Sequence, residues 1–299
     1  MRSLQIGDSI AYLSIKNRQL VAYPRSDEET SKQAPLEDLD AVVLETLNGL
    51  GLNLHVLQGY IENNTSLIIC DKRHLPAGIL LPLFGTLDHG AVLQGQIEIS
   101  QPHKKQLWKQ IIKEKLLHQA MNLESDSYPR TRINDMASKI RSGDPDNFEA
   151  QGARIYWNAF VGSSFRREPR SGEGVNAALD YGYAVVRALL ARAVVASGLH
   201  PSISVFHSPR ANPLCLVDDL IEPLRPIVDR HIIRMIEPID GKLTPANKRE
   251  IVEILVLRVR CVDQASSLPV ACERFADSYK RCVLGASNKL DIPTWLNDQ

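Results

Sequence analysis

The run Gln101-Pro-His-Lys-Lys-Gln-Leu-Trp-Lys-Gln-Ile-Ile-Lys-Glu-Lys-Leu-Leu-His-Gln-Ala-Met-Asn-Leu123 decides the fold. It holds no glycine. Its single proline, Pro102, stands at the start, where a helix tolerates it because the first N–H groups lack partners anyway. The run reads as a long helix. Upstream the pattern is different. Ser9–Lys16 alternates and is rich in Ile, Tyr and Leu, Asn17–Gln19 supply a turn, and Leu20–Tyr23 resumes an extended run. Asp40–Thr46 and Ser66–Cys70 are short β-branched runs of buried-strand type, with Asn53–Asn63 between them as a short helix. Leu75–Phe84 is a further apolar run, broken by Pro76, Gly78 and Pro82. Downstream, Pro145–Val161, Val175–Ser197, Asn212–Glu222 and Asn247–Val262 read as helices, and a last one lies around Ala271–Leu284. The class is α+β: a small N-terminal β domain over residues 1–86, a linker over 87–100, a larger all-α domain over 101–285 and a tail over 286–299.

The chain has 299 residues, 44% of them hydrophobic, so it can bury real cores. Lys+Arg and Asp+Glu are 35 each, and a net charge of zero argues against a strongly basic binder, an acidic tail protein or a disordered chain. The sum hides its parts. Residues 1–100 hold 7 basic and 12 acidic side chains, residues 101–200 hold 15 and 10, and the last third is balanced. Five cysteines, with no CxxC pair, argue against a disulfide framework, a zinc ribbon or a thioredoxin-type site, and fit reduced, buried thiols in a cytosolic protein. Met1–Ile10 carries Arg2 and Asp8 and lacks the apolar core of a signal peptide. The most lipophilic uncharged stretch, His74–Leu87, has 14 residues. A spanning helix needs about 20. A soluble protein, off the membrane, is expected.

Three polar positions do not suit a plain helical core. Glu149 shares a helix face with Ala153, Tyr156 and Phe160, and a buried carboxylate there needs a partner. Gly152, one turn on, permits a close approach to the backbone. The bland alternative is a salt bridge to Arg154 or to another helix. His207 ends the extended run Ile203–His207, where a hydrogen-bonded core histidine is the alternative to a ligand. Asp218, Asp219 and Glu222 lie on a leucine-rich helix capped by Asn212 and Pro213. Pro223 disfavours helical backbone at Glu222, so Glu222 falls at a helix end or kink. A solvated acidic face is the alternative here.

Together these supply carboxylates and one imidazole from three elements. Hard oxygen donors with one nitrogen suit Mg2+ or Mn2+ better than Zn2+, and such an ion serves phosphodiester chemistry. Lys104, Lys105, Lys109, Lys113 and Lys115 on one helix, and Arg166, Arg167 and Arg170 in a loop after the Glu149 helix, are placed to track phosphates by charge. A solubilising surface is the alternative for the lysines.

The sequence resembles the CRISPR-associated integrase family, the large universal subunit of the spacer-acquisition complex, in its shorter type II-like form. The matching residues are Gly143-Asp144 through Phe148-Glu149-Ala150-Gln151-Gly152-Ala153-Arg154-Ile155-Tyr156-Trp157, then Val175-Asn176 through Asp180-Tyr181-Gly182-Tyr183 to Arg187, Gly198-Leu199-His200-Pro201 through His207, and Asn212-Pro213-Leu214 through Asp218-Asp219-Leu220-Ile221-Glu222-Pro223 to Pro226. The resemblance implies an N-terminal β-sandwich-like domain before a helical catalytic domain. It implies metal ligands at Glu149, His207 and Glu222, with Asp219 as a neighbour. The DNA contacts expected at Lys105, Lys109, Arg166 and Arg167 rest on the charge of the two basic clusters alone. Asp180 stands where the type II-like pattern more often has Asn, and its partner and that of Asp218 are open.

What the resemblance implies is a metal-dependent DNA integrase of CRISPR adaptation, cytoplasmic in a prokaryote. The 3′-hydroxyl of a short double-stranded fragment, the prespacer, attacks a phosphodiester of the CRISPR repeat. A homodimer working with a small ferredoxin-like adaptation subunit is implied. The rival readings are a metal-dependent nuclease on branched or double-stranded DNA without integration, and a non-catalytic DNA-binding scaffold.

Overall fold

The computed structural model describes all residues except 1, 46–47, 64, 73–75, 82–86, 208–210, 236–240 and 297–299. The β region runs β1 (Arg2–Ile6), β2 (Ile10–Lys16), β3 (Gln19–Pro24), β4 (Lys32–Pro35), β5 (Leu39–Leu44), β6 (Gly51–Leu52), helix α1 (Leu54–Glu62), β7 (Ser66–Cys70) and β8 (Pro76–Leu80). Asn17 and Arg18 both take left-handed backbone, φ 50° and 59°, which matches the twist of a two-residue hairpin and joins β2 to β3. Asn53 caps α1 by accepting the Val56 N–H at 3.2 Å.

Two four-stranded sheets result, in the orders β1-β5-β7-β8 and β4-β3-β2-β6. The alternation of β5 explains how they sit. Val42 and Leu44 enter a core shared with Leu13 and Leu20 of the second sheet, whereas Ala41 and Val43 enter the core of the helical region. The first sheet therefore lies between two cores, and both of its faces must be apolar.

The chain continues as α2 (His89–Glu98), α3 (Gln101–Met121), α4 (Tyr128–Lys139), α5 (Phe148–Phe160), α6 (Gly174–Ala196), α7 (Cys215–Leu220), α8 (Arg225–Met235), α9 (Pro245–Val252), β9 (Arg258–Cys261), β10 (Gln264–Ser267) and α10 (Leu268–Val283). The α+β class holds. α6 is the central helix, apolar around most of its circumference from Ala177 to Val194. None of the helices among the described residues is long and apolar enough to cross a membrane.

Several local readings differ from the structure. Asn247–Val262 is not one helix: α9 stops at Val252, and β9 begins at Arg258. Arg258 and Arg260 are exposed while Val259 and Cys261 are buried, a period-two pattern that outweighs the helical composition around it. Hence the helical region also contains a β hairpin. Residues 87–100, read as a connecting segment, carry α2, and β1, β4, α4 and α8 come from sequence too polar or too short to stand out. Of the run Leu75–Phe84, residues 76–80 form β8, while 75 and 82–84 lie outside the described residues, as does the boundary at 86. In the tail, Leu290, Ile292 and Trp295 are buried, and Thr294 exchanges two backbone hydrogen bonds with Arg260 at 2.8 Å. The cysteines form no disulfide.

One polar contact fixes the β region on the helices. Glu45, buried just after β5, accepts hydrogen bonds from Gln5, from Tyr181 of α6, and from the ammonium of Lys248 on α9. Removing one partner of such a buried pair strands the other charge in a low dielectric. Lys248→Met is expected to lower the unfolding free energy by on the order of 3 kcal/mol in urea titration, and a loss under about 1 kcal/mol would show that Glu45 needs no cation.

Candidate active site

Helix α3 gathers the site. Along one face it carries Trp108, Ile111, Lys115, His118 and Asn122, at the spacing of a helical seam. The upper part of that seam is apolar and buried, and the lower part is polar and still buried. Each polar group has a named task. Lys115 Nζ lies 2.7 Å from Glu149 Oε1 and 2.5 Å from Glu222 Oε2. His118 Nδ1–H donates to the Pro223 carbonyl at 2.7 Å. Asn122 Nδ2 donates to the Pro226 carbonyl and to Tyr156 Oη, both at 2.8 Å. Burial lowers the His118 pKa to about 4, so it acts as a neutral donor. Three side chains of one helix thus strap the turn from Glu222 to Pro226.

Glu149 is set by the loop before it. Gly143, Asp144 and Asn147 have positive φ, and Asp144 turns its carboxylate onto the start of α5. Its two oxygens accept the N–H groups of Phe148 and Glu149 at 2.9 and 3.0 Å. Glu149 then lies in the first helical turn, where the helix dipole favours an anion. Gly152 faces α3 so closely that an added Cβ would come within 2.3 Å of Leu116 Cδ2, and this approach brings Glu149 to Lys115. Glu149 is therefore in a salt bridge to another helix, and Arg154 takes no part in it.

Glu222 sits where Pro223 put it. α7 ends at Leu220, a single 3-10 turn spans Glu222–Leu224, and α8 follows. Besides Lys115, the Arg225 Nε–H donates to Glu222 Oε1 at 2.8 Å. Burial alone would raise the Glu222 pKa, but Lys115 and Arg225 together hold it down to about 2. Lys115 itself loses from burial and regains more from Glu222 and Glu149, so it stays an ammonium.

His207 does not lie in a strand; Ile203–His207 is a loop held by Asp219. The fully buried Asp219 carboxylate accepts the Phe206 N–H at 2.7 Å and the His207 Nδ1–H at 2.8 Å. The hydrogen on Nδ1 leaves Nε2 as the lone-pair nitrogen of the neutral ring. Trp108 and Phe206 stack at 4.8 Å, and the imidazole meets both edge-on at 5.0 and 5.2 Å. The hydrogen bond to Asp219 raises the His207 pKa despite partial desolvation, and the charges of Glu149 and Glu222 add to the rise. Glu149 and Glu222 thus meet at Lys115, and His207 lies within reach of their charges.

Carboxylates and an imidazole nitrogen are donor types that a hard divalent ion takes, and the ammonium of Lys115 is a cation already standing between the two carboxylates. Among the described residues no three His, Cys, Asp or Glu side chains close on one point.

The other expected residues divide. Lys105 is exposed and Lys109 half-buried on α3, and neither is ion-paired among the described residues. Arg166 is exposed. Arg167 is not free for phosphate: its guanidinium clips Asp180 and, at 2.9 Å, Asn176 of α6. The Arg170 N–H also donates to Asp180, at 2.6 Å. This answers what Asp180 pairs with. Asp218 is bound by Arg187 at 2.5 Å and by Asn212, so the three neighbouring acids face three different partners. Lys115 belongs to the site and not to a basic surface. Asn212 makes a turn with the Leu214 N–H at 3.0 Å, and α7 starts only at Cys215. Residues 208–210, which precede Asn212, lie outside the described residues.

The family model for CRISPR associated protein Cas1 matches residues 4–245, which span the β region and every residue of this site. The chain belongs to the Cas1 family. It is similar to the CRISPR-associated endonuclease Cas1 of Neisseria meningitidis serogroup C (strain 8013), with 34% identity over 286 residues, 94% of this chain and 92% of that one. Among solved structures it shares its fold with a casposase bound to integration product, TM-score 0.75 at 18% identity over 97% of this chain and 93% of the other. It also matches a chain of a Cas6-RT-Cas1–Cas2 complex, TM-score 0.70 at 15% identity, over all of this chain and 36% of that one.

Behind the site of this Cas1 protein lies a group that sequence reading missed. Asp229 is buried and accepts the hydroxyl of Tyr183, whose ring lies 4.7 Å from the Arg225 guanidinium. Burial pushes Asp229 up to about 7, against the hydrogen bonds from Tyr183 and Tyr156. Unfolded, the same carboxyl ionises near pH ~4. The folded state keeps a proton that the unfolded chain releases, so this stabilisation is complete below about pH 4 and is lost as pH rises through about 7. Between roughly pH 5 and 8 the wild-type melting temperature should therefore fall relative to that of Asp229→Asn, and a constant offset across this range would contradict the assignment.

Proposed function

We propose that this protein is the DNA-joining enzyme of CRISPR adaptation and that Glu149, His207 and Glu222 form its catalytic centre. The observation that carries the reading is that one ammonium, Lys115, joins Glu149 of α5 to Glu222 of the α7–α8 turn, with His207 near enough for the charges of both carboxylates to act on it. The substrates would be a short double-stranded prespacer and the CRISPR repeat. The prespacer's 3′-hydroxyl oxygen forms a bond to a repeat phosphorus, the bond from that phosphorus to the repeat's own 3′ oxygen breaks, and the hydroxyl proton ends on the released oxygen or in water. One phosphodiester replaces another, so no oxidant, nucleotide or protein nucleophile is required.

Glu149, Glu222 and His207 Nε2 would hold Mg2+ or Mn2+. Such an ion supplies polarisation of the phosphoryl oxygen and a lower pKa for the attacking hydroxyl. Asp219 fixes the His207 tautomer and ring plane, the part a carboxylate plays behind a ligating histidine. Arg225 holds Glu222 ionised and fixes its carboxylate plane. Lys105, Lys109 and Arg166 would meet phosphates without reading bases. Lys104 lies eleven residues before Lys115, within about 20° of the same line along α3, and is the lysine best aligned with the site.

The casposase bound to integration product supports joining as the reaction, and the Cas1–Cas2 complex supports a small adaptation subunit as partner. A second copy of this chain completes the proposed assembly, which would act in a prokaryotic cytoplasm. The name of the Neisseria relative, an endonuclease, favours one other reading. The same centre would cleave branched or double-stranded DNA if water took the place of the 3′-hydroxyl.

A strand-transfer assay into a repeat-bearing plasmid with Mn2+ tests both. Glu149→Gln, His207→Ala and Glu222→Gln are each expected to reduce joining by at least about 100-fold with circular dichroism unchanged, and Asp219→Asn by roughly 10- to 100-fold. A prespacer lacking its 3′-hydroxyl should give no joined product. Full activity of any of the three ligand variants would remove that residue from the centre, and cleavage with the blocked prespacer but no joining with the free one would favour the nuclease.

A further inference from the structure

The charge balance of the centre is complete without a divalent ion. Glu149 and Glu222 carry two negative charges, and Lys115 and Arg225 return two positive ones at 2.5–2.8 Å. The two cations are not equivalent. Arg225 grips the outer oxygen of Glu222 alone, and its guanidinium is packed on the Tyr183 ring at 4.7 Å. Lys115 touches both carboxylates and stands between them. An ammonium on a four-carbon stem also swings where a stacked guanidinium does not.

We propose that Lys115 is a displaceable counter-cation. Its ammonium holds Glu149 and Glu222 together in the metal-free protein, occupies the point the divalent ion needs, and is expelled when that ion binds. The inference rests on the metal reading above. The physical reason is Coulomb's law at short range. A divalent ion held by both carboxylates would lie within a few ångströms of Nζ, and two cations cannot share that space in a poorly hydrated site. Without Lys115, the apo site would hold two carboxylates with only Arg225 to balance them, so the metal-free protein gains order from Lys115 at the expense of metal affinity.

The probe is Mn2+ alone, titrated calorimetrically into the full chain at one fixed pH near neutrality. Lys115→Met and Lys115→Gln remove the charge, Lys115→Arg keeps it, and Glu222→Gln reports whether the heat belongs to this site. The neutral variants are expected to bind Mn2+ at least about tenfold more tightly than wild type, and Lys115→Arg no more tightly. A second measurement needs no variant. Reductive methylation of the wild-type protein, read by mass spectrometry, should modify Lys115 slowly without metal and about tenfold faster with saturating Mn2+, as Nζ leaves the carboxylates. Equal or weaker Mn2+ binding in the neutral variants, with binding lost in Glu222→Gln, overturns the displacement and leaves the metal reading standing. A Lys115 methylation rate unmoved by Mn2+ does the same. Absence of Mn2+ binding in every form overturns both.

Discussion

The ammonium of Lys115 lies between the carboxylates of Glu149 and Glu222, and the rest of the centre is organised around that contact. Two carboxylates facing one point repel each other. Burial makes the repulsion worse, because little water is left to screen it. One buried cation, backed by Arg225 on the far side of Glu222, converts this repulsion into an attraction that draws α5 and the α7–α8 turn onto α3. The bond is intramolecular and already formed, so the acids are aligned before any substrate arrives.

That contact needs support from parts that touch no substrate. Asp144 caps α5 and aims Glu149, and Gly152 lets Leu116 approach so that the acid reaches Lys115. His118 and Asn122 bind the carbonyls of Pro223 and Pro226, which keeps the Glu222 turn from sliding along α3. Asp219 does for His207 what Lys115 does for the glutamates: one fully buried group satisfies a backbone N–H and the ring together. Further out, Glu45 ties the sheets to α6 and α9, so the β region and the centre share one frame.

Much of this was legible in the sequence where local chemistry is decisive. β2 and β3 showed in their alternation, α3 in its lack of glycine, and the Glu222 kink in Pro223. Glu149, His207 and Glu222 stand out because acids and a histidine on apolar elements are anomalous, but only the family resemblance joins them into one ligand set. Lys115 was not found, since counting it with Lys104, Lys105, Lys109 and Lys113 gave a basic surface. The signal was there: Trp108, Ile111, Lys115, His118 and Asn122 follow one helical line, and a polar run that continues an apolar seam is buried. Arg167 was misread for the opposite reason. Its partner Asp180 lies on another helix, and only the tertiary fold shows that the pair is closed. The helix expected over Asn247–Val262 ends early because the alternation in Arg258–Cys261, only four residues long, is set by burial in the tertiary fold.

The central claim is that Glu149, His207 and Glu222 work as one unit. Groups that act together are lost together, so their effects on rate do not multiply. The most direct test is the single-turnover joining rate of the double variant Glu149→Gln/His207→Ala beside the two single variants. The double variant is expected to be about as slow as the slower single one. A rate equal to the product of the two separate losses would contradict it, because it would mean that the two residues act at independent places.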